Sequence, residues 1–182
     1  MAAPSANLSG KISPTDALHV QESLGAAAEF IIDAGRCAVG LESTVLDCTR
    51  DIPTILRPGG VTTEQIEKVV GRIDIPNSHS VLPKSPGMLE SHYAPDAVLR
   101  LNATSVFAGE ALLAFGKGLP NNPDLTRNLS PKANLEQAAG NLFAMLRELD
   151  VLATRIAVMP IPHEGLGRAI NDRLRRASAP QM

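Results

Sequence analysis

An α/β fold is predicted, and three features of the sequence predict it. Short runs rich in Val, Ile and Leu alternate with segments whose apolar residues recur at steps of three and four, the mark of strands interleaved with helices. Glycine and proline clusters separate these runs. A Pro-punctuated stretch between residues 72 and 96 divides them into two groups. The organisation predicted is an α/β unit over residues 1–75, a linker over 76–96 and a second α/β unit over 97–182.

The first element is a turn. Pro4-Ser5-Ala6-Asn7-Leu8-Ser9-Gly10 combines a fixed φ at Pro4, short polar groups at Ser5 and Asn7, and a glycine that permits close backbone approach. Such a loop normally follows a buried strand. A helix is then predicted, with Ser13 as N-cap, Pro14 as its first residue, an apolar side of Ala17, Leu18, Val20 and Leu24, and Gly25 as its stop. Phe30–Gly35 reads as a short buried strand running into a turn. Val39–Asp47 and Thr54–Leu56 read as strands rich in β-branched residues. After the Arg57-Pro58-Gly59-Gly60 break, a helix begins near Thr62 with Gln65 as capping-box partner. Its buried side is Ile66, Val69 and Val70, and Gly71 ends it.

The second group alternates more regularly. Strands are predicted at Val98–Leu101, Ala111–Phe115 and Arg155–Met159. Between the last two lies a helix from about Asn134 to Asp150, whose Ala138, Leu142, Met145 and Leu149 follow the helical period. A final amphipathic helix runs from about Gly165 to Ala177. This order suggests a small parallel sheet.

Composition narrows the function. Hydrophobic residues make up 44% of the 182 and charged residues 20%, ordinary for a globular protein. Aromatics are only 3%, with no Trp and one Tyr, so no platform for stacking bases is visible. A net charge of −2 argues against strong non-specific nucleic-acid binding. A local basic patch at Arg168, Arg173, Arg175 and Arg176 is the exception. Cys37 and Cys48 fit no zinc spacing and are expected to be reduced, buried or half-buried thiols. His19, His79, His92 and His163 are scattered. No apolar stretch approaches a membrane span, and no signal-peptide pattern is present, so a cytoplasmic protein without membrane contact is expected.

Five segments could carry chemistry, each with a plainer alternative. Ser5-Ala6-Asn7 with Lys11 and Ser13 at a helix start suits a phosphate, or is an ordinary capped turn. Glu42-Ser43-Thr44 supplies hydroxyls on a strand, or simply favours strand pairing. Arg57 at a strand end can grip phosphate bidentately, or form a surface ion pair. His92 and Tyr93 could close over a ligand, or anchor the linker by burying their rings. Pro160–Gly167 is a turn between strand and helix that lacks the known phosphate-loop patterns.

Taken in order, Pro-Ser-Ala-Asn-Leu-Ser-Gly-Lys-x-Ser-Pro-Thr, Glu-Ser-Thr-Val, Ile-Leu-Arg-Pro-Gly and Ser-Pro-Gly-Met-Leu-x-x-His-Tyr-Ala-Pro resemble the long, two-domain form of the threonylcarbamoyl-AMP synthase family. Ile156–Pro162, Gly165-Leu166-Gly167 and Asn171-Asp172-Arg173-Leu174 resemble that family's second domain. The resemblance implies the C-terminal part of a YrdC-like α/β catalytic domain over 1–75, the linker, and a small Rossmann-like domain over 97–182. It implies nucleotidyl transfer: threonylcarbamoyl-AMP and pyrophosphate made from L-threonine, bicarbonate and ATP, with Mg²⁺ expected alongside the ATP. The downstream tRNA-modification machinery is the implied partner, and contact with tRNA, a double-stranded RNA, is left open. By motif, Ser5, Asn7, Ser13, Arg57 and Tyr93 would bind ATP, and Ala3 and Ser43 would line the threonine pocket. No residue matches a catalytic acid, base or nucleophile, or a Mg²⁺ ligand. The family's first catalytic half, with its Lys-x-Arg motif, has no counterpart here, so the chain alone is expected not to synthesise the adenylate. The competing readings are a non-catalytic nucleotide- or partner-binding module and the remnant of an interrupted gene.

Overall fold

The computed structural model describes residues 4–75, 91–120 and 123–180. Helix α1 (Ala17–Leu24) is capped by Asp16, whose carboxylate accepts a hydrogen bond from the His19 N–H, and not by Ser13. The Ser13 hydroxyl is spent elsewhere, as a donor to Glu42. Phe30 and Ile32 are exposed and lie in irregular chain, which corrects the expectation of a buried strand. No described strand runs beside them, so their backbone has no ladder to join.

Strands β1 (Val45–Asp47) and β2 (Thr54–Arg57) pair antiparallel, with Val45 opposite Arg57. β1 is much shorter than the predicted strand, and Glu42-Ser43-Thr44 precede it as irregular chain. Helix α2 (Thr63–Val70) has the predicted capping box of Thr62 and Gln65 and ends at Gly71. Its apolar side is not buried, however: Val69 and Val70 face outward. Segment 76–90 of the expected linker lies outside the described residues.

The second group folds into a four-stranded parallel sheet. Its strands are β3 (Val98–Arg100), β4 (Ala111–Ala114), β5 (Thr126–Asn128) and β6 (Arg155–Val158), in the order β3-β6-β4-β5. Every residue of β4 is buried, as the centre of a covered sheet requires. β5 was not predicted, because Thr-Arg-Asn carries no apolar alternation; it is recruited by pairing to β4. Helices α3 (Leu135–Leu152, N-cap Asn134) and α4 (Leu166–Ala177) pack together over one face. That face holds the main core of Leu99, Leu113, Leu129, Leu142, Leu146 and Ile170. A smaller cluster of Ala103, Leu112, Ala114 and Ala157 fills the other.

The N-terminal segment is docked onto this core. Ile12 is buried in it and Leu41 packs against it. Arg147 of α3 donates to the Ile12 carbonyl at 2.6 Å and to Ser23 Oγ at 2.9 Å. Gly40 lies so close to α3 that a Cβ there would meet the Ala139 carbonyl at 2.5 Å. Its φ of +66° also favours glycine. Among the described residues no helix is long and apolar enough to cross a membrane.

Candidate functional site

Arg57 ends β2 pointing inward and is nearly buried. Its Nη2 donates to the Ser43 carbonyl at 2.9 Å and reaches Ser43 Oγ at 3.4 Å. The turn after it is pressed on the same backbone. A Cβ at Gly59 would lie 2.4 Å from Glu42 O, Ser43 C and Thr44 N, and the Gly60 N–H donates to the Glu42 carbonyl at 2.9 Å. A residue with a side chain cannot occupy position 59 without moving that backbone. Two predicted ligand contacts, one for ATP and one for threonine, are thus held together by a glycine turn.

Glu42 joins a third. Its Oε1 accepts from Ser13 Oγ at 2.7 Å and its Oε2 from Arg173 Nε at 2.8 Å. Burial pushes the Glu42 carboxyl up, but Arg173 and the Ser13 hydrogen bond pull harder, so it is held below its ordinary value and ionised. Arg173 is 1% exposed, and its Nη1 pairs with Asp172 at 2.8 Å. Burial draws the guanidinium down, and Glu42 and Tyr93 more than restore it. The Arg173 Cζ sits 5.1 Å from the centre of the Tyr93 ring.

Tyr93 is buried and stacked on Phe143, ring centres 5.4 Å apart, with His92 edge-on at 4.1 Å. The Tyr93 ring is thus packed into the core and not presented to solvent. Burial lowers the His92 pKa, Glu42 opposes it, and Arg173, Arg176 and Arg57 add to the lowering, so the imidazole is neutral at pH 7. Among the described residues His92 Nδ1 and Arg173 Nη2 are buried without a hydrogen-bond partner. Two such orphans beside paired arginines mark a polar cluster that is not closed among the described residues.

Ser5 and Asn7 stand apart from this cluster. Ser5 is exposed, and Asn7 Nδ2 shapes its own turn through the Leu8 and Lys11 carbonyls, at 2.7 and 3.1 Å. The turn is tied to the site through the Gly10 carbonyl, which accepts from the Ala94 N–H at 2.8 Å. Ala3 lies outside the described residues. Ser13, Ser43, Arg57 and Tyr93 are brought together, and Glu42 and Arg173 are what joins them. Sequence reasoning did not single out Glu42 or Arg173 as site residues. A signal existed for the second: Arg173 falls within the apolar stripe Ala169, Ile170, Leu174, Ala177 of α4, where an arginine must be buried and paired.

The predicted basic patch dissolves on the same grounds. Arg173 and Arg176 are buried against Asp172, Arg168 pairs with Glu64, and only Arg175 of the four is exposed. Cys37 and Cys48 are free and exposed, which corrects the expectation of burial; both sit in irregular chain at the surface. A cleft of about 740 Å³ lies away from the cluster at the amino ends of β4, β5 and β6. It holds none of the predicted residues, and parallel sheets present ligands at the opposite ends of their strands.

Residues 61–179 match the family described as "Threonylcarbamoyl-AMP synthase, C-terminal domain". The chain belongs to the threonylcarbamoyl-AMP synthase family. Residues 1–59 match a second family, described as "Telomere recombination". The threonylcarbamoyl-AMP synthase of Bacillus subtilis is 38% identical over 98% of this chain and 57% of its own length. The crystal structure of Pyrococcus abyssi Sua5 complexed with L-threonine superposes with a TM-score of 0.84 at 37% identity, covering 97% of this chain and 57% of that one. A P. abyssi Sua5 variant with an adjacent histidine and tyrosine replaced by alanine superposes at 0.80, with 34% identity, 97% of this chain and 56% of that one covered. The chain therefore spans a little over half the length of these members of the threonylcarbamoyl-AMP synthase family. In this sequence His92-Tyr93 is the only adjacent histidine and tyrosine.

Proposed function

We propose that this chain carries the nucleotide side of a threonylcarbamoyl-AMP synthase. The observation that carries the reading is the convergence of Ser13, Ser43, Arg57 and Tyr93, from four separated segments, on one partly buried cationic cluster. Arg57 supplies positive charge for a triphosphate, and the hydroxyls of Ser13 and Ser43 supply directional contacts. Ser43, held beside Arg57, would set L-threonine next to the ATP that activates it. That the P. abyssi relative is described with L-threonine bound supports this assignment.

Among the described residues no group of three or more His, Cys, Asp or Glu side chains could hold a metal ion. We infer that Mg²⁺ enters on the ATP phosphates. In this reading the residues act by placing reactants together and neutralising phosphate charge, not by covalent catalysis. Residues 97–182 form a small Rossmann-like unit, a reading supported by the parallel order β3-β6-β4-β5 with helices over one face. The product would feed threonylcarbamoyl modification of tRNA.

We infer that the 182 residues bind nucleotide without completing the reaction; they span 57% of the length of the Bacillus subtilis relative. The exposed Phe30 and Ile32 also lack cover among the described residues. A pyrophosphate-release assay with ATP, L-threonine and bicarbonate is expected to give no turnover above background. Robust turnover would contradict this inference.

A further inference from the structure

We propose that Arg173, on α4 of the second unit, is a positioning residue that works through Glu42 to hold Ser13 as a hydrogen-bond acceptor toward the nucleotide. The inference rests on the nucleotide reading above and extends it to a residue to which no motif assigned a ligand contact. Three contacts carry it. Arg173 Nε reaches Glu42 Oε2 at 2.8 Å, Glu42 Oε1 takes the proton of Ser13 Oγ at 2.7 Å, and Arg173 Nη1 is itself fixed by Asp172 at 2.8 Å. Arg173 and Ser13 are 1% and 5% exposed, so water does not compete for these bonds.

The chemical consequence follows from counting protons. A serine hydroxyl has one proton and two lone pairs. Glu42 is ionised and can only accept, so the Ser13 proton is committed to it. What Ser13 Oγ has left for a ligand is a lone pair. Its partner on the nucleotide must then be a donor, a ribose hydroxyl or the adenine amine, and not a phosphate oxygen. The start of α1 is equally unsuited to phosphate, because the Asp16 carboxylate already occupies it. Phosphate recognition falls to Arg57. The second unit thus sets the polarity of a contact that lies in the first.

The test separates nucleoside recognition from phosphate recognition in the 182-residue chain. Calorimetry would measure ATP and inorganic tripolyphosphate binding to wild type, Arg173→Lys and Glu42→Gln. Arg173→Lys keeps the charge but not the fork, and Glu42→Gln keeps the shape but cannot accept from both neighbours. Loss of one charge-assisted bond predicts about tenfold weaker ATP binding in each variant, with tripolyphosphate changed by less than about twofold. A general loss of structure would weaken both ligands alike; that result, or unchanged ATP affinity, overturns the proposal. If wild type binds neither ligand, the nucleotide reading falls, and the relay is decided by amide hydrogen exchange at Ile12 and Ser13. Exchange about fivefold faster or more in Arg173→Lys supports the relay, and an unchanged rate refutes it.

Discussion

Glu42 shows at the scale of one residue how the candidate site is assembled, since its two carboxylate oxygens join Ser13 to Arg173. Neither bond was legible in the sequence. Ser13 followed by Pro14 reads as a helix cap, and only the fold shows that Asp16, a stronger acceptor, takes that role. Gly59 is the complementary case, where absence of a side chain matters. Gly59→Ala places a methyl group against backbone atoms at 2.4 Å, a clash no rotamer relieves, and should cost about 1–3 kcal/mol by thermal unfolding. A variant as stable as wild type would mean the turn does not press on residues 42–44. Glu110 makes the acid sensitivity testable. Its hydrogen bonds from Arg100, outweighing the upward push of burial, hold its pKa at about 2 against the ordinary 4.5. The pKa is depressed on folding, so the stabilisation is present above about 4.5 and is lost as pH falls toward about 2. Glu110→Gln should flatten the dependence of thermal midpoint on pH across that window. An unchanged slope would assign the acid transition elsewhere.

Elements divide into those with local signals and those without. Helices α2, α3 and α4 were legible because caps and the 3.6-residue period are local properties. β3, β4 and β6 were legible as compact apolar runs. β5 was not, since its three polar residues become a strand only by pairing with β4. The residues around Phe30 failed in the opposite direction: their β-propensity is real, but among the described residues they have no partner strand. The capping box of α2 gives a test at this scale. Thr62→Ala removes the side-chain acceptor for the Gln65 N–H and should cost about 1 kcal/mol of stability. Because α2 is largely exposed, circular dichroism should show fraying of that helix with the parallel-sheet unit intact. Loss of the whole fold would show that α2 is more deeply coupled than its exposure suggests.

Across the whole molecule, the second unit holds most of the buried core and the first leans on it. The central strand β4 is wholly buried and clusters lie on both faces of its sheet, whereas among the described residues the N-terminal segment contributes Ile12 and Leu41 to the main cluster. Limited proteolysis should therefore leave a fragment close to residues 97–180, with the first cuts among the exposed residues 29–39. A surviving N-terminal fragment would reverse this ranking. The relation between the units was also the least legible feature of the sequence. Arg147 to Ile12 and Arg173 to Glu42 join residues more than 130 positions apart, and nothing in local spacing encodes such pairs. Yet the motifs that named the family lie on these same segments, so the function was more legible than the geometry that would perform it.

We propose that Arg57 and the hydroxyls around it form the nucleotide side of a threonylcarbamoyl-AMP synthase. Calorimetric titration of ATP into the 182-residue chain and into Arg57→Ala tests it most directly. Saturable binding by the wild type is expected, with a loss of affinity of about tenfold or more in the variant, the scale of one arginine–phosphate contact. Equal affinity in the two proteins, or no binding by a folded wild type, would contradict it.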